Sequence, residues 1–170
     1  MSQIRVQFIH GLEGSPQGSK ARLLAEHFDA RTPAMDTKDY AACVSVQARA
    51  IQEHPPDVLV GSSFGGAVAV TLLQQGVWRG PTLLLAQAAL EYDPEARLPE
   101  GVRVWLVHGL ADTLVDPEHS RRLAATGSPE LVRLLEVEDD HPLTETTSSG
   151  RLVELVRELV SVHQAVSARV

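Results

Sequence analysis

The chain has 170 residues, of which 44% are hydrophobic and 22% charged, the composition of a soluble globular protein with a single domain over 1–170. A chain of this size buries roughly 70% of its unfolded surface, so it needs no disulfide or metal staple. Its net charge of −7 and the lack of any basic run longer than Arg121–Arg122 argue against nucleic acid or an anionic membrane as partner, since phosphate would repel it.

Pattern and punctuation predict the elements in chain order. Ile4–His10 is β-branched and aromatic, and Gly11 stops it, as in a first core strand. The same stretch is too short and too directly joined to the fold to be a signal peptide, and no window approaches the ~18 apolar residues of a membrane span. Ser19–Phe28 places Leu23, Leu24 and Phe28 at helical spacing. A weaker strand near Ala30–Ala34 fits a sheet edge. Asp36 or Thr37 is the expected cap of a helix through Tyr40, Val44 and Ile51. Cys43 falls inside that pattern as a small buried residue. It is the only cysteine, which precludes an internal disulfide and suits a reducing, cytoplasmic setting.

Val58–Val60 follows Pro55–Pro56 as a strand, and Gly65–Gln75 follows as a helix. Thr82–Ala86, Val102–His108 and Leu131–Val137 are further strands. Pro117 opens a helix that runs to Thr126, with Asp116 as its cap. Leu152, Leu155, Val156, Leu159 and Val160 line one face of the last helix. Apolar strands alternating with helices predict a mostly parallel sheet of about six strands covered on both faces. Such sheets bind ligands at the carboxyl ends of their strands, and there the chemistry should lie.

Gly61-Ser62-Ser63-Phe64-Gly65, followed by Gly66, fits G-x-S-x-G between a strand and a helix. A tight turn there lifts Ser63 above the sheet, and its crowded backbone requires small flanking residues, met by Gly61 and Gly65. Ser62 lies off the central position of the motif. A serine needs a base. Of seven histidines, His27, His54, His119 and His163 fall in helical patterns. His10 and His108 end strands and could reach the active end. His141 lies between the last strand and the last helix and is the expected base. Asp112, just past the strand ending at His108, is the expected carboxylate orienting it. Asp139 and Asp140 are expected to face solvent. Phe64 N–H and Leu12 N–H, the latter on a loop opened by Gly11 and Gly14, are the candidate oxyanion donors. That loop matches neither G-x-x-x-x-G-K-[ST] nor a fitting G-x-G-x-x-G, so no nucleotide cofactor is expected. No ligand spacing supports a metal, although His10, His108 and His141 could converge.

Four blocks taken together, HGLEGSPQGSK at 10–20, GSSFGG at 61–66, HGLADTLV at 108–115 and Asp140–His141, resemble the small bacterial esterases of the YqiA-like group in the α/β-hydrolase superfamily. The resemblance runs in order over nearly the whole chain. It implies a minimal three-layer α/β-hydrolase fold, with Ser63, Asp112 and His141 as catalytic residues and Leu12 and Phe64 as oxyanion donors. Many larger members insert a cap, whereas here only Gln87–Gly101 separates two strands. An open site walled by Glu13–Lys20 and Ala88–Pro99 is therefore expected, taking small acyl esters or thioesters. An acyltransferase, amidase or peptidase with the same triad, and a silent binding domain, are the alternatives. Sequence leaves the oligomeric state open.

Overall fold

The computed structural model describes residues 2–169. Six strands form one all-parallel sheet: β1 (Arg5–Ile9), β2 (Asp29–Arg31), β3 (Val58–Ser62), β4 (Thr82–Leu85), β5 (Val104–Gly109) and β6 (Val132–Val137), in the order β2-β1-β3-β4-β5-β6. Five helices of eight or more residues connect or follow them: α1 (Ser19–His27), α2 (Tyr40–Glu53), α3 (Phe64–Gln74), α5 (Pro117–Ala124) and α7 (Arg151–Ser167). Two short ones, α4 (Ala89–Tyr92) and α6 (Thr144–Ser148), lie in stretches without helical periodicity and were not expected. This is the α/β-hydrolase architecture, and among the described residues no cap domain interrupts it.

The pleat divides the core in two. Val6, Phe8, Val58, Val60, Leu83, Leu85, Trp105 and Val107 point to one face and pack with α1 and α7. Leu59, Leu84, Val104 and Leu106 point to the other, beneath α2, α3, α4 and α5. Because successive residues serve opposite cores, the strands are apolar without alternation. α3 is buried on almost every side, including Phe64, Val68, Leu72 and Leu73. The cap of α2 is Asp39, whose carboxylate accepts the Ala42 N–H at 3.0 Å. Neither expected residue, Asp36 or Thr37, is the cap; Asp36 instead shapes the preceding turn by accepting the Lys38 N–H. Cys43 is buried in α2, and burial pushes its thiol up from the ordinary value. Asp116 caps α5 through the Glu118 N–H at 2.9 Å.

The chain leaves β1 toward β2 on one side and returns to β3 on the other. The crevice at this reversal, at the carboxyl ends of β1 and β3, is where such sheets bind ligands. Strain collects along the same edge. Among the described residues, the non-glycine positions with positive φ are Ser63 (54°), Ala86 (46°) and Leu143 (53°). Ser63 and Ala86 directly follow β3 and β4, and Leu143 immediately precedes α6 in the loop after β6. Backbone of this kind costs of order 1–3 kcal/mol per residue and persists only where its surroundings dictate it.

Candidate active site

Ser63 stands at the turn from β3 into α3 with φ 54° and ψ −115°. The turn closes only because glycines surround it. A Cβ on Gly61 would lie 2.6 Å from the Gly65 carbonyl oxygen, and one on Gly65 would overlap the Ile9 backbone. Gly65 therefore lets α3 start directly against β1. Gly11 lies against Ser62 and Ser63 from the next loop. Ser63 N–H donates to Leu85 O at 2.9 Å, and Ser63 O accepts from Ala88 N–H at 3.1 Å. The elbow is thus tied to the end of β4.

Three side chains separated by up to 78 positions form one line. Ser63 Oγ is 3.0 Å from His141 Nε2, and His141 Nδ1 is 2.7 Å from Asp112 Oδ2. Ser63 and His141 remain partly open to solvent, whereas Asp112 is buried. Asp112 Oδ1 accepts the N–H groups of Leu114 and Val115, both at 2.9 Å. Burial pushes this carboxyl up, but the bonds from Val115, His141 and Leu114 outweigh it and hold the group below the ordinary carboxylate range. Asp112 is an acceptor only, so the His141 proton sits on Nδ1 and Nε2 presents a lone pair to Ser63.

The loop carrying His141 is built from side-chain bonds. Asp139 is buried, contrary to the expectation that it faces solvent. Its carboxylate accepts from Asp140 N, Glu145 N, Thr146 N and Thr146 Oγ1 at 2.8–3.2 Å, capping α6. A helix begins three residues after His141, and its free N–H groups need acceptors: Asp139 takes those of Glu145 and Thr146, and Asp140 that of Thr144. Burial raises the Asp139 carboxyl, and the bonds from Thr146 and its neighbours outweigh that and lower it overall. Asp140 is exposed, as expected, and binds Thr144 N and Oγ1. Across the cleft, Lys20 Nζ donates to Pro142 O at 2.6 Å and clamps the loop against α1.

A cleft of about 1010 Å³ opens over Ser63, at the upper end of ordinary small-molecule sites. One wall is the segment from Leu12 to Ala21, and the other is Phe64, Ala88, Glu91 and Tyr92. Leu114 and Val115 complete it, a contribution no motif or spacing announces. Leu12, Tyr92 and Leu114 are large apolar side chains left 44–71% exposed at its mouth. Tyr92 stacks on Tyr40 and meets Phe64 edge-on. Leu12 and Phe64 both border the cleft. Phe64 N–H, at the first position of α3, has no intrahelical acceptor.

The other candidate histidines do not join the line at Ser63. His10 borders the cleft but turns Nδ1 back to Gly11 O at 2.8 Å. His108 points away into the α5 side of the sheet, fully buried, with Nε2 3.1 Å from Asp112 Oδ2. His27 and His54 are exposed, while His119 and His163 are half-buried. Among the described residues no three His, Cys, Asp or Glu side chains converge as metal ligands, and no helix is long and apolar enough to cross a membrane.

The fold recurs in solved structures. A candidate hydrolase of the alpha/beta superfamily from Xanthomonas campestris pv. campestris superposes with a TM-score of 0.76 at 21% identity, covering 97% of this chain and 99% of its own. A candidate hydrolase from Agrobacterium vitis S4 gives 0.75 at 18% identity, covering 92% and 88%. Mouse alpha/beta hydrolase domain-containing protein 10 gives 0.75 at 16% identity, covering 92% and 89%. No curated protein matches the sequence significantly. The uncharacterised protein family UPF0227 matches residues 5–90, the half that carries the β1 loop, the elbow and α3, and the chain belongs to that family.

Proposed function

We propose that this protein is a serine hydrolase that cleaves carboxylic esters or thioesters of small acyl groups through an acyl-enzyme. One observation carries the reading: Ser63 Oγ, His141 and Asp112 stand in hydrogen-bond contact at 3.0 and 2.7 Å, beneath an open cleft. Geometry of this kind performs acyl transfer on unrelated folds.

In the first step Ser63 Oγ attacks the acyl carbon as His141 Nε2 takes its proton. Asp112 stabilises the imidazolium without itself being protonated. The developing oxyanion is held by Phe64 N–H and Leu12 N–H, with the field of α3 behind the first. His141 then gives its proton to the leaving alcohol or thiol. A water, deprotonated by His141, attacks the acyl carbon; the bond to Ser63 Oγ breaks, Oγ takes the proton back from His141, and the acid leaves. The chemistry calls for no cofactor or metal. The acyl group rests on the apolar rim of Leu12, Tyr92 and Leu114, and the open mouth leaves the leaving group in solvent. A small-molecule ester is the partner, and a reducing cytoplasm the fitting location.

The test is a series of p-nitrophenyl esters of increasing acyl length, run on wild type, Ser63→Ala and Ser62→Ala. Turnover that vanishes in Ser63→Ala and survives in Ser62→Ala is the expected outcome. Equal residual turnover in both variants rejects Ser63 as nucleophile. Ser63 acylation without ester turnover moves the reading to an acyltransferase or amidase.

A further inference from the structure

His108, one residue before the end of β5, is completely buried and has no place in the chemistry above, yet both its ring nitrogens are engaged. Nδ1 is 2.7 Å from Ser120 Oγ on α5. Nε2 is 2.9 Å from Val115 O and 3.1 Å from Asp112 Oδ2, the oxygen that also binds His141. Ser120 Oγ is in turn 3.0 Å from Gln87 Nε2, and Gln87 Oε1 accepts the Ala89 N–H at 2.7 Å. Gln87 and Ser120 are as fully buried as His108.

Donor and acceptor chemistry fixes the direction of each proton. The Ala89 N–H can only donate, so the oxygen of Gln87 faces it and the amide nitrogen faces Ser120. Ser120 Oγ accepts from Gln87 and passes its own proton to His108 Nδ1. The imidazole proton then sits on Nε2. The far end requires the same, because Val115 O and an ionised Asp112 only accept. The opposite tautomer would set a lone pair against two oxygens in the buried interior, an uncompensated contact of the costly kind.

The chain also returns to the elbow. A Cβ on Gly66 would come within 2.7 Å of Gln87 Cβ, and Ala88 N–H donates to Ser63 O. Gln87, Ser120, His108 and Asp112 therefore join the nucleophile turn to the carboxylate through the α5 side of the sheet, while His141 joins them through the cleft. Glu136, paired in register with His108 on β6, is taken up by Arg121.

We propose that His108 is a positioning residue for Asp112, held as an Nε2–H donor by Ser120 and Gln87, and that this buried chain sets the geometry of the Asp112–His141–Ser63 line. The proposal rests on the hydrolytic reading. Ser120 fixes the tautomer of His108 as Asp112 fixes that of His141.

A double-mutant cycle on one short-chain ester tests it, with circular dichroism for folding and fluorophosphonate labelling of Ser63 in wild type. His108→Leu should lower kcat about 10- to 100-fold, the range of outer-shell partners at metal sites, with KM nearly unchanged. His108→Gln, which keeps an N–H donor, should recover part of the loss. In an Asp112→Asn background, His108→Leu should cost less than about twofold more, because residues that act as a unit are not additive. Equal fold-losses in both backgrounds, or a loss confined to KM, overturn the proposal. Should His108→Leu fail to fold, Ser120→Ala carries the same cycle. A loss that disappears with Asp112→Asn supports the proposal, and one that persists undiminished overturns it. A wild type that neither turns over esters nor labels at Ser63 removes the hydrolytic reading itself, a result separate from either outcome of the cycle.

Discussion

Ser63 and His141, the proposed nucleophile and base, are held in place by opposite means. The turn at Ser63 is fixed by crowding: Gly61 and Gly65 leave no room for a Cβ, and α3 behind them is apolar and buried. The loop at His141 is fixed by polar bonds: Asp139 gathers four donors, Asp140 two, and Lys20 reaches over from α1. Steric fixing has no graded response, because an added methyl has nowhere to go. Polar fixing can be dismantled one bond at a time, each worth about 0.5–1.5 kcal/mol and more for charged acceptors. Substitutions at the elbow should therefore be all-or-none, and those at the base loop graded.

The largest structural effect is expected from Gly65→Ala. The new Cβ overlaps the Ile9 backbone, so β1 and α3 must separate, and a loss above about 4 kcal/mol is expected. Thermal melting and soluble yield check this. A variant that melts within a few degrees of wild type would show that the elbow yields after all.

Asp112→Asn should leave the fold in place but lower kcat by up to about 10⁴, because an amide favours the wrong tautomer of His141. Steady-state kinetics with circular dichroism decide it, and a loss under tenfold would give the orienting role to another carboxylate.

Asp139→Asn separates holding the loop from doing chemistry. It removes the charge behind four hydrogen bonds, so stability should fall by about 1–3 kcal/mol, with a smaller loss of kcat than for Asp112→Asn. A pH signature accompanies it. The Asp139 and Asp112 carboxyls are both lowered on folding. Their contribution is complete above the unfolded value of about 3.9 and fades as pH falls through the folded values. Wild type should lose stability steeply below about pH 4, and Asp139→Asn less steeply; parallel urea midpoints from pH 6 to 3 would contradict this. The smallest effect is expected at Asp116→Asn, where Asn caps α5 about as well as Asp. A midpoint shift beyond about 0.5 kcal/mol would give Asp116 a second role.

The same contrast explains what could be read from the sequence. Glycines that tolerate no Cβ leave a spaced signature, so the elbow and the strand before it are legible, as are apolar strands serving two cores. The order Ser63, Asp112, His141 past the ends of β3, β5 and β6 is legible for the same reason. Polar positioning is not, because it depends on which donors the fold delivers. Asp139 looks like a loop acid until Thr146 and Glu145 arrive as the first turn of α6, a helix too short for any period. His108 reads as free to reach the active end, but its ring meets Ser120 on α5 instead. The cap of α2 is Asp39 rather than the expected Asp36 or Thr37, because Asp36 is taken up in the turn at 36–39 and the helix starts only at Tyr40.

Labelling with a fluorophosphonate tests the central claim most directly, with the adduct mapped by peptide mass spectrometry in wild type, Ser63→Ala and His141→Ala. A single adduct on Ser63 in wild type, none in Ser63→Ala and much slower labelling in His141→Ala is the result the geometry predicts. An adduct on Ser62 or elsewhere, or equal labelling rates with and without His141, would contradict it.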